Sequence, residues 1–172
     1  MSQNKRVYIV MGVSGCGKTT IGKNLGKMLN IPFFDADDFH SYENIEKMKN
    51  GIGLNDEDRK AWLLDLSKHI STWSNTTGAV LACSALKAQY RNALQATATG
   101  VEYIYLHAEK ELIKQRFKLR SSHYMPSSLI DSQFIDLEKP VDAIELDAGW
   151  SIKRIMDQLA MHYKPNSKSK NE

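Results

Sequence analysis

The chain is poor in the residues that build stapled or membrane-spanning proteins. It has two cysteines among 172 residues. Cys16 lies inside a glycine-rich stretch and Cys83 ends an apolar run, so no disulfide framework is expected. No apolar run approaches the ~18 residues needed to span a bilayer. The opening MSQNKRVYIV lacks a signal-peptide pattern, because its apolar run has strand length and leads into glycines. A cytoplasmic protein with no membrane partner is the expectation. Charge of one sign is scarce too. The net charge is +3, with no block of five or more like charges and no basic–aromatic stripe, which argues against a nucleic-acid partner. Internal repeats and linkers are missing as well. What remains is a 42% apolar, 25% charged chain, read as one domain over residues 1–163 and a flexible, Lys-rich tail over 164–172.

What is present is an alternation of strand-length and helix-length patterns. Strands are expected at Val7–Met11, Ile31–Phe34, Ala79–Cys83, Val101–Leu106 and Ala143–Leu146. Helices are expected at Lys18–Leu29, Asn44–Lys49, Lys87–Ala96, Glu109–Leu119, Leu129–Leu137 and Ile152–His162. The clearest helix follows a cap at Asn55 or Asp56 and carries the stripe Trp62, Leu63, Leu66, Ile70 and Trp73. Residues 120–128 break the pattern. Such alternation predicts an α/β fold, a parallel sheet covered by helices on both faces. Ligands then bind beyond the carboxyl ends of the strands, where Gly12, Asp35 and Cys83 fall.

The strongest motif is Gly12-Val13-Ser14-Gly15-Cys16-Gly17-Lys18-Thr19, which fits G-x-x-x-x-G-K-[ST] between a strand and a helix. Glycines let the backbone curl so that several N–H groups face one phosphate, and the helix N-terminus adds its positive dipole end. Lys18 reaches the β- and γ-phosphates, and the Thr19 hydroxyl is a Mg²⁺ ligand, with Thr20 next to it on the helix. ATP and Mg²⁺ are the implied cofactors. No N-K-x-D run for guanine is present, which argues against a GTPase. The second cluster, Asp35-Ala36-Asp37-Asp38-Phe39-His40, follows strand two. Carboxylates there can hold Mg²⁺ through water and deprotonate an attacking hydroxyl; phosphoryl transfer needs little more than positioning and charge neutralisation. An acidic turn capping the next helix is the plainer alternative. Arg116 and Arg120 share a helix face and are either a lid over the phosphates or a solvated face.

Beyond the phosphate loop, DADDFH (35–40), NIEKMKNGIGLNDEDRKAWL (44–63), ACSALKAQYR (82–91), RFKLRSSHYMP (116–126) and SQFIDLEKP (132–140) resemble the gluconokinases of the shikimate-kinase-like P-loop group, over about residues 7 to 160. The resemblance implies a P-loop NTPase three-layer α/β/α fold, a five-stranded parallel sheet of order 2-3-1-4-5 and a mobile lid at about 118–128. It implies that D-gluconate and ATP become 6-phosphogluconate and ADP. Asp37 would accept the hydroxyl proton, Asp35 would hold the Mg²⁺ water shell, and Arg120, with Arg116 behind it, would close over the nucleotide. Gluconate is an anion with a row of hydroxyls. Arg59, Lys87 and Arg91 are the candidate cations for its carboxylate, and His40 and His123 the candidates for its hydroxyls. Trp62 is read as core. A homodimer is common in the family.

The chain departs from the family pattern at several points. Cys16 stands where serine is usual, putting a thiol beside the phosphates as a candidate for oxidation. Ser122 replaces the lid glycine, which stiffens the hinge. Ser41 and Ala61 stand where proline is common. Two other readings fit the sequence: a kinase for another small acid or polyol, and a nucleotide-binding switch that transfers no phosphate.

Overall fold

The computed structural model describes residues 5–119 and 126–163. Five strands, β1 (Val7–Met11), β2 (Phe33–Asp35), β3 (Ala79–Ala82), β4 (Val101–His107) and β5 (Ala143–Asp147), form one sheet in the order β2-β3-β1-β4-β5. Every pairing is parallel, so every connection is a crossover through a helix. The helices are α1 (Lys18–Leu29), α2 (Tyr42–Lys49), α3 (Asp56–Asn75), α4 (Ala88–Gln95), α5 (Lys110–Leu119), α6 (Ser127–Asp136) and α7 (Ile152–Tyr163). A 3-10 turn, Ala36–Phe39, follows β2. The expected three-layer fold and strand order are both present.

The pleat explains the layers. Along β1, Val7, Ile9 and Met11 pack with Trp62, Leu66, Ile70 and Trp73 of α3 and Leu94 of α4. Val10 faces the other way, towards Ile21 and Leu25 of α1, Ile113 of α5, Ile130 of α6 and Leu159 of α7. Strands buried on both faces read as unbroken apolar runs, which is why β1 and β3 are VYIVM and AVLA.

Boundaries shifted where caps or ladder bonds decide them. β2 begins two residues later than expected, because Pro32 enters the ladder only as an acceptor, from Val80 N–H at 2.9 Å. Ser41 starts α2 two residues early, its hydroxyl accepting from Asn44 N–H at 3.2 Å. Asn55 caps α3 in a capping box with Asp58. Pro126, whose ring suits a helix entry, moves the start of α6 to Ser127.

Candidate active site

The phosphate loop, residues 12–17, joins β1 to α1 at the carboxyl edge of the sheet. Gly12 and Gly15 are required by space as well as by φ, and Gly17, at φ 108°, by φ alone. A Cβ on Gly12, at φ 143°, would lie 2.7 Å from Leu106 O; one on Gly15, at φ 82°, would lie 2.9 Å from the Phe117 ring. Lys18 Nζ folds back over the loop and donates to Val13 O at 3.0 Å. Cys16 turns inward among Val10, Val13 and Ile21 and is 2% exposed. Burial pushes its thiol up, against the lowering pull of Lys18. The expected oxidisable thiol is therefore a packed core group that resists ionisation.

Two carboxylates lie beside the loop. Thr19 Oγ1 donates to Asp35 Oδ2 at 2.9 Å, and Asp37 N–H donates to Asp35 Oδ1 at 3.1 Å. Asp35 thus ties α1, two strands away, to the turn that carries Asp37 and Asp38. The walls of the cleft strip water from Asp37 and raise its pKa; the Asp35 charge adds to the rise and Lys18 opposes it. Its side chain is still 81% exposed, so that desolvation is partial and the carboxylate remains open to the cleft.

His40 is the site's buried polar group. Its side chain is 4% exposed and its ring stacks on Trp62, with centroids 4.3 Å apart and planes 14° apart. Nε2 lies 3.8 Å from Asp37 Oδ1, while Nδ1 has no hydrogen-bond partner among the described residues. Burial, then the Arg59 charge, lower its pKa to about 4, so the ring is neutral at neutral pH. Trp62 is core, as expected, and it also braces the acidic turn by donating from Nε1 to Ala36 O at 2.8 Å.

The three candidate cations sit in different surroundings. Arg59 Nη1 donates to Leu54 O at 2.5 Å and to the Tyr90 hydroxyl at 3.3 Å. Its guanidinium lies 5.4 Å from the Tyr90 ring centroid, and no carboxylate among the described residues pairs with it. Lys87, by contrast, is 2.9 Å from Asp56 Oδ1 and 3.7 Å from Asp136 Oδ1. The Tyr90 hydroxyl and Gln89 also donate to Asp56. Arg91 is 8% exposed and spends Nη1 on Ala85 O and Leu86 O, both at 2.9 Å. There it holds the turn in which Ala85 takes a φ of 45°.

Arg116 lies behind the loop. Its Nη1 donates to Gly15 O and Cys16 O at 3.1 Å each, and its Nη2 to Ala148 O at 2.6 Å. Thr20 is exposed on the first turn of α1. Arg120 and His123 lie outside the described residues. The structure therefore gathers residues 12–19, Asp35, Asp37, His40 and Arg59 at one cleft, and sets Lys87 and Arg91 in contacts of their own. Sequence reasoning passed over Gln133 of α6, whose amide is bonded to Ser14 at the loop's outer edge.

Comparison with known proteins agrees with this arrangement. The family model described as shikimate kinase matches residues 14–133. The thermosensitive gluconokinase of Escherichia coli (strain K12) is 40% identical over 157 residues, covering 88% of this chain and 83% of that one. The gluconokinase of Arabidopsis thaliana is 43% identical over 143 residues, covering 75% and 76%. Among solved structures, a sugar kinase from Janibacter sp. HTCC2649 superposes with a TM-score of 0.85 at 37% identity, covering 91% and 93%. A gluconokinase from Sinorhizobium meliloti 1021 gives a TM-score of 0.79 at 31% identity, covering 94% and 99%. A phosphate loop on this sheet order, an acidic turn beside it, and likeness of this extent mean that the chain belongs to the gluconokinase family of the shikimate-kinase-like P-loop kinases.

Proposed function

We propose that the chain transfers the terminal phosphoryl group of ATP to D-gluconate, giving 6-phospho-D-gluconate and ADP. The observation that carries this reading is Arg59. Among the described residues it is a guanidinium without a carboxylate partner, held against Tyr90 and close enough to His40 to lower its pKa, and His40 in turn lies 3.8 Å from Asp37 on the acidic turn. A sugar acid brings the anion that such a site lacks, and a planar guanidinium can take a carboxylate through two N–H groups.

Each described residue then has a task. Loop N–H groups and Lys18 hold the nucleotide phosphates. Asp37 accepts the proton of the attacking hydroxyl, its raised pKa making it a better base than an ordinary aspartate. Neutral His40 offers Nδ1 to a substrate hydroxyl, which meets the need of a buried polar atom for a partner. Thr19 and Asp35 are the Mg²⁺ candidates. Their oxygens already converge at 2.9 Å, and hard oxygen donors suit that ion. Among the described residues no group of three or more His, Cys, Asp or Glu could hold a metal, which fits an ion that keeps most of its waters. When bound, Mg²⁺ neutralises charge on the phosphates. Arg91 acts through the turn it holds at Ala85 and Leu86, and Lys87 through Asp56 and Asp136, which it ties together. Arg120 and His123 are assigned to the lid at about 118–128, the arginine over the nucleotide and the histidine at a substrate hydroxyl. The chain is assigned to the cytoplasm, and a homodimer is the assembly that the family resemblance implies.

Coupled ADP release with ATP and Mg²⁺ tests the reading, comparing gluconate, shikimate and neutral polyols. Turnover confined to gluconate is expected. Equal turnover of a neutral polyol would remove the carboxylate role of Arg59.

A further inference from the structure

We infer that Gln133 is a positioning residue of the nucleotide loop: its side-chain amide holds Ser14 from the outer side and leaves the following N–H groups free for phosphate. The inference rests on the reading of residues 12–19 as a nucleotide site, and does not depend on which acceptor is phosphorylated.

The position is unusual for a glutamine. In α6, Ile130 is buried, and Phe134 and Leu137 pack against the same core. Gln133 falls on that row by its i+3 spacing and is itself half-buried. A helix row facing the core is normally apolar, and an amide there costs stability unless both its ends are bonded. Both are. Gln133 Oε1 accepts from Ser14 N–H at 2.7 Å, and Gln133 Nε2 donates to Ser14 Oγ at 2.9 Å. The pair is complementary in one orientation only, since a flipped amide would set its NH₂ against a backbone N–H.

The loop's donors divide accordingly. Gly12 N–H goes to Ser84 O at 3.3 Å and Cys16 N–H to Val13 O at 3.3 Å. Ser14 N–H goes to Gln133. The N–H groups of Val13, Gly15 and Gly17 have no intrachain partner among the described residues. Arg116 grips the carbonyls of Gly15 and Cys16 from α5, so Ser14, Gly15 and Cys16 are each held from outside. A curl whose free donors alternate with held peptides is organised before the phosphates arrive, which spares ordering cost on binding. Ser14, expected as a nucleotide contact in its own right, serves through this bond.

The test is calorimetric binding of ADP with Mg²⁺ to the full chain, without acceptor, alongside steady-state kinetics. Gln133→Leu keeps the volume and loses both bonds. The expected result is a weakening of ADP of roughly 5- to 20-fold, the scale of one or two net hydrogen bonds, with the KM for ATP rising in step and that for the sugar acid within twofold. Gln133→Glu can still accept from Ser14 N–H and from its hydroxyl, but adds a negative charge beside the phosphates. It is expected to weaken ADP by a factor that shrinks as salt is raised. ADP affinity unchanged in either variant would overturn the inference, and so would equal rises in both KM values. If Gln133→Leu does not fold, Gln133→Met, which also loses both bonds but has a more adaptable side chain, takes its place with the same expected and overturning results. Failure of the unaltered chain to bind ADP would overturn the nucleotide reading together with this inference.

Discussion

His40 makes stability depend on pH in a window where few other groups act. Its folded pKa is about 4 against 6.5 unfolded. A histidine with a lowered folded pKa binds its proton more readily when unfolded. The stability it leaves intact above pH 6.5 is therefore lost as pH falls towards 4. From those two values, His40 costs almost nothing at pH 7 and about 2 kcal/mol at pH 5. The side chain is 4% exposed, so solvent screening takes little from that figure. Asp56, held at about 2 by the Tyr90 hydroxyl and Lys87, loses its own contribution only below its unfolded value of 3.8, outside the window. Urea unfolding followed by tryptophan fluorescence at pH 7 and pH 5 would measure the change. His40→Phe keeps a ring over Trp62 and removes the titration, so the extra loss between the two pH values should vanish in that variant. If the unaltered protein and the variant lose the same amount, or if His40 titrates near 6.5 by NMR, the buried, neutral imidazole is wrong.

Three further outcomes follow from the site. Asp37→Asn should bind ADP within about threefold of normal yet lose at least ~100-fold in kcat, the scale of general-base removal; single-turnover kinetics would show it, and near-normal turnover would free Asp37 of the proton. Arg59→Ala should raise the KM for gluconate at least ~10-fold with the KM for ATP nearly unchanged, because a charge-assisted bond of roughly 1.5–3 kcal/mol is lost; equal rises would sink the carboxylate role. Gly15→Ala should weaken ADP binding and lower Tm, because a φ of 82° and a ring 2.9 Å from the new Cβ together cost about 1–3 kcal/mol; calorimetry and thermal melting report both.

Much of this was legible in the sequence because it is local. The phosphate loop is a run of eight residues whose glycines answer to steric need. DADDFH sits at a strand end, and the layered core follows from apolar runs such as VYIVM. The partners of charged side chains were not legible. Lys87 and Arg59 look alike in sequence, yet Asp56 and Asp136 neutralise the lysine while the arginine, among the described residues, bonds to a carbonyl and a phenol. Arg116 looked like half of a charged helix face, and it holds carbonyls 100 and 101 residues away. Gln133 lies 119 residues from Ser14, and no periodicity carries a contact that distant. Its one local sign was an amide on an otherwise apolar helix row.

The sheet register has a consequence for how this chain can vary. Asp35 stands opposite Ala82, and Ala82 opposite Val10, so the base-bearing turn and the nucleotide loop leave the sheet from one row. The gap between them is measured across the ladder, at about 4.8 Å per strand, and not along the chain. Connections may therefore grow or shrink with little effect, whereas one residue removed from β2 or β3 would slide half of the cleft by about 3.3 Å and turn its side chains to the opposite layer. In a library of single-residue insertions and deletions selected for activity, survivors should be scattered through the outer turns and absent from 7–11, 33–35 and 79–82.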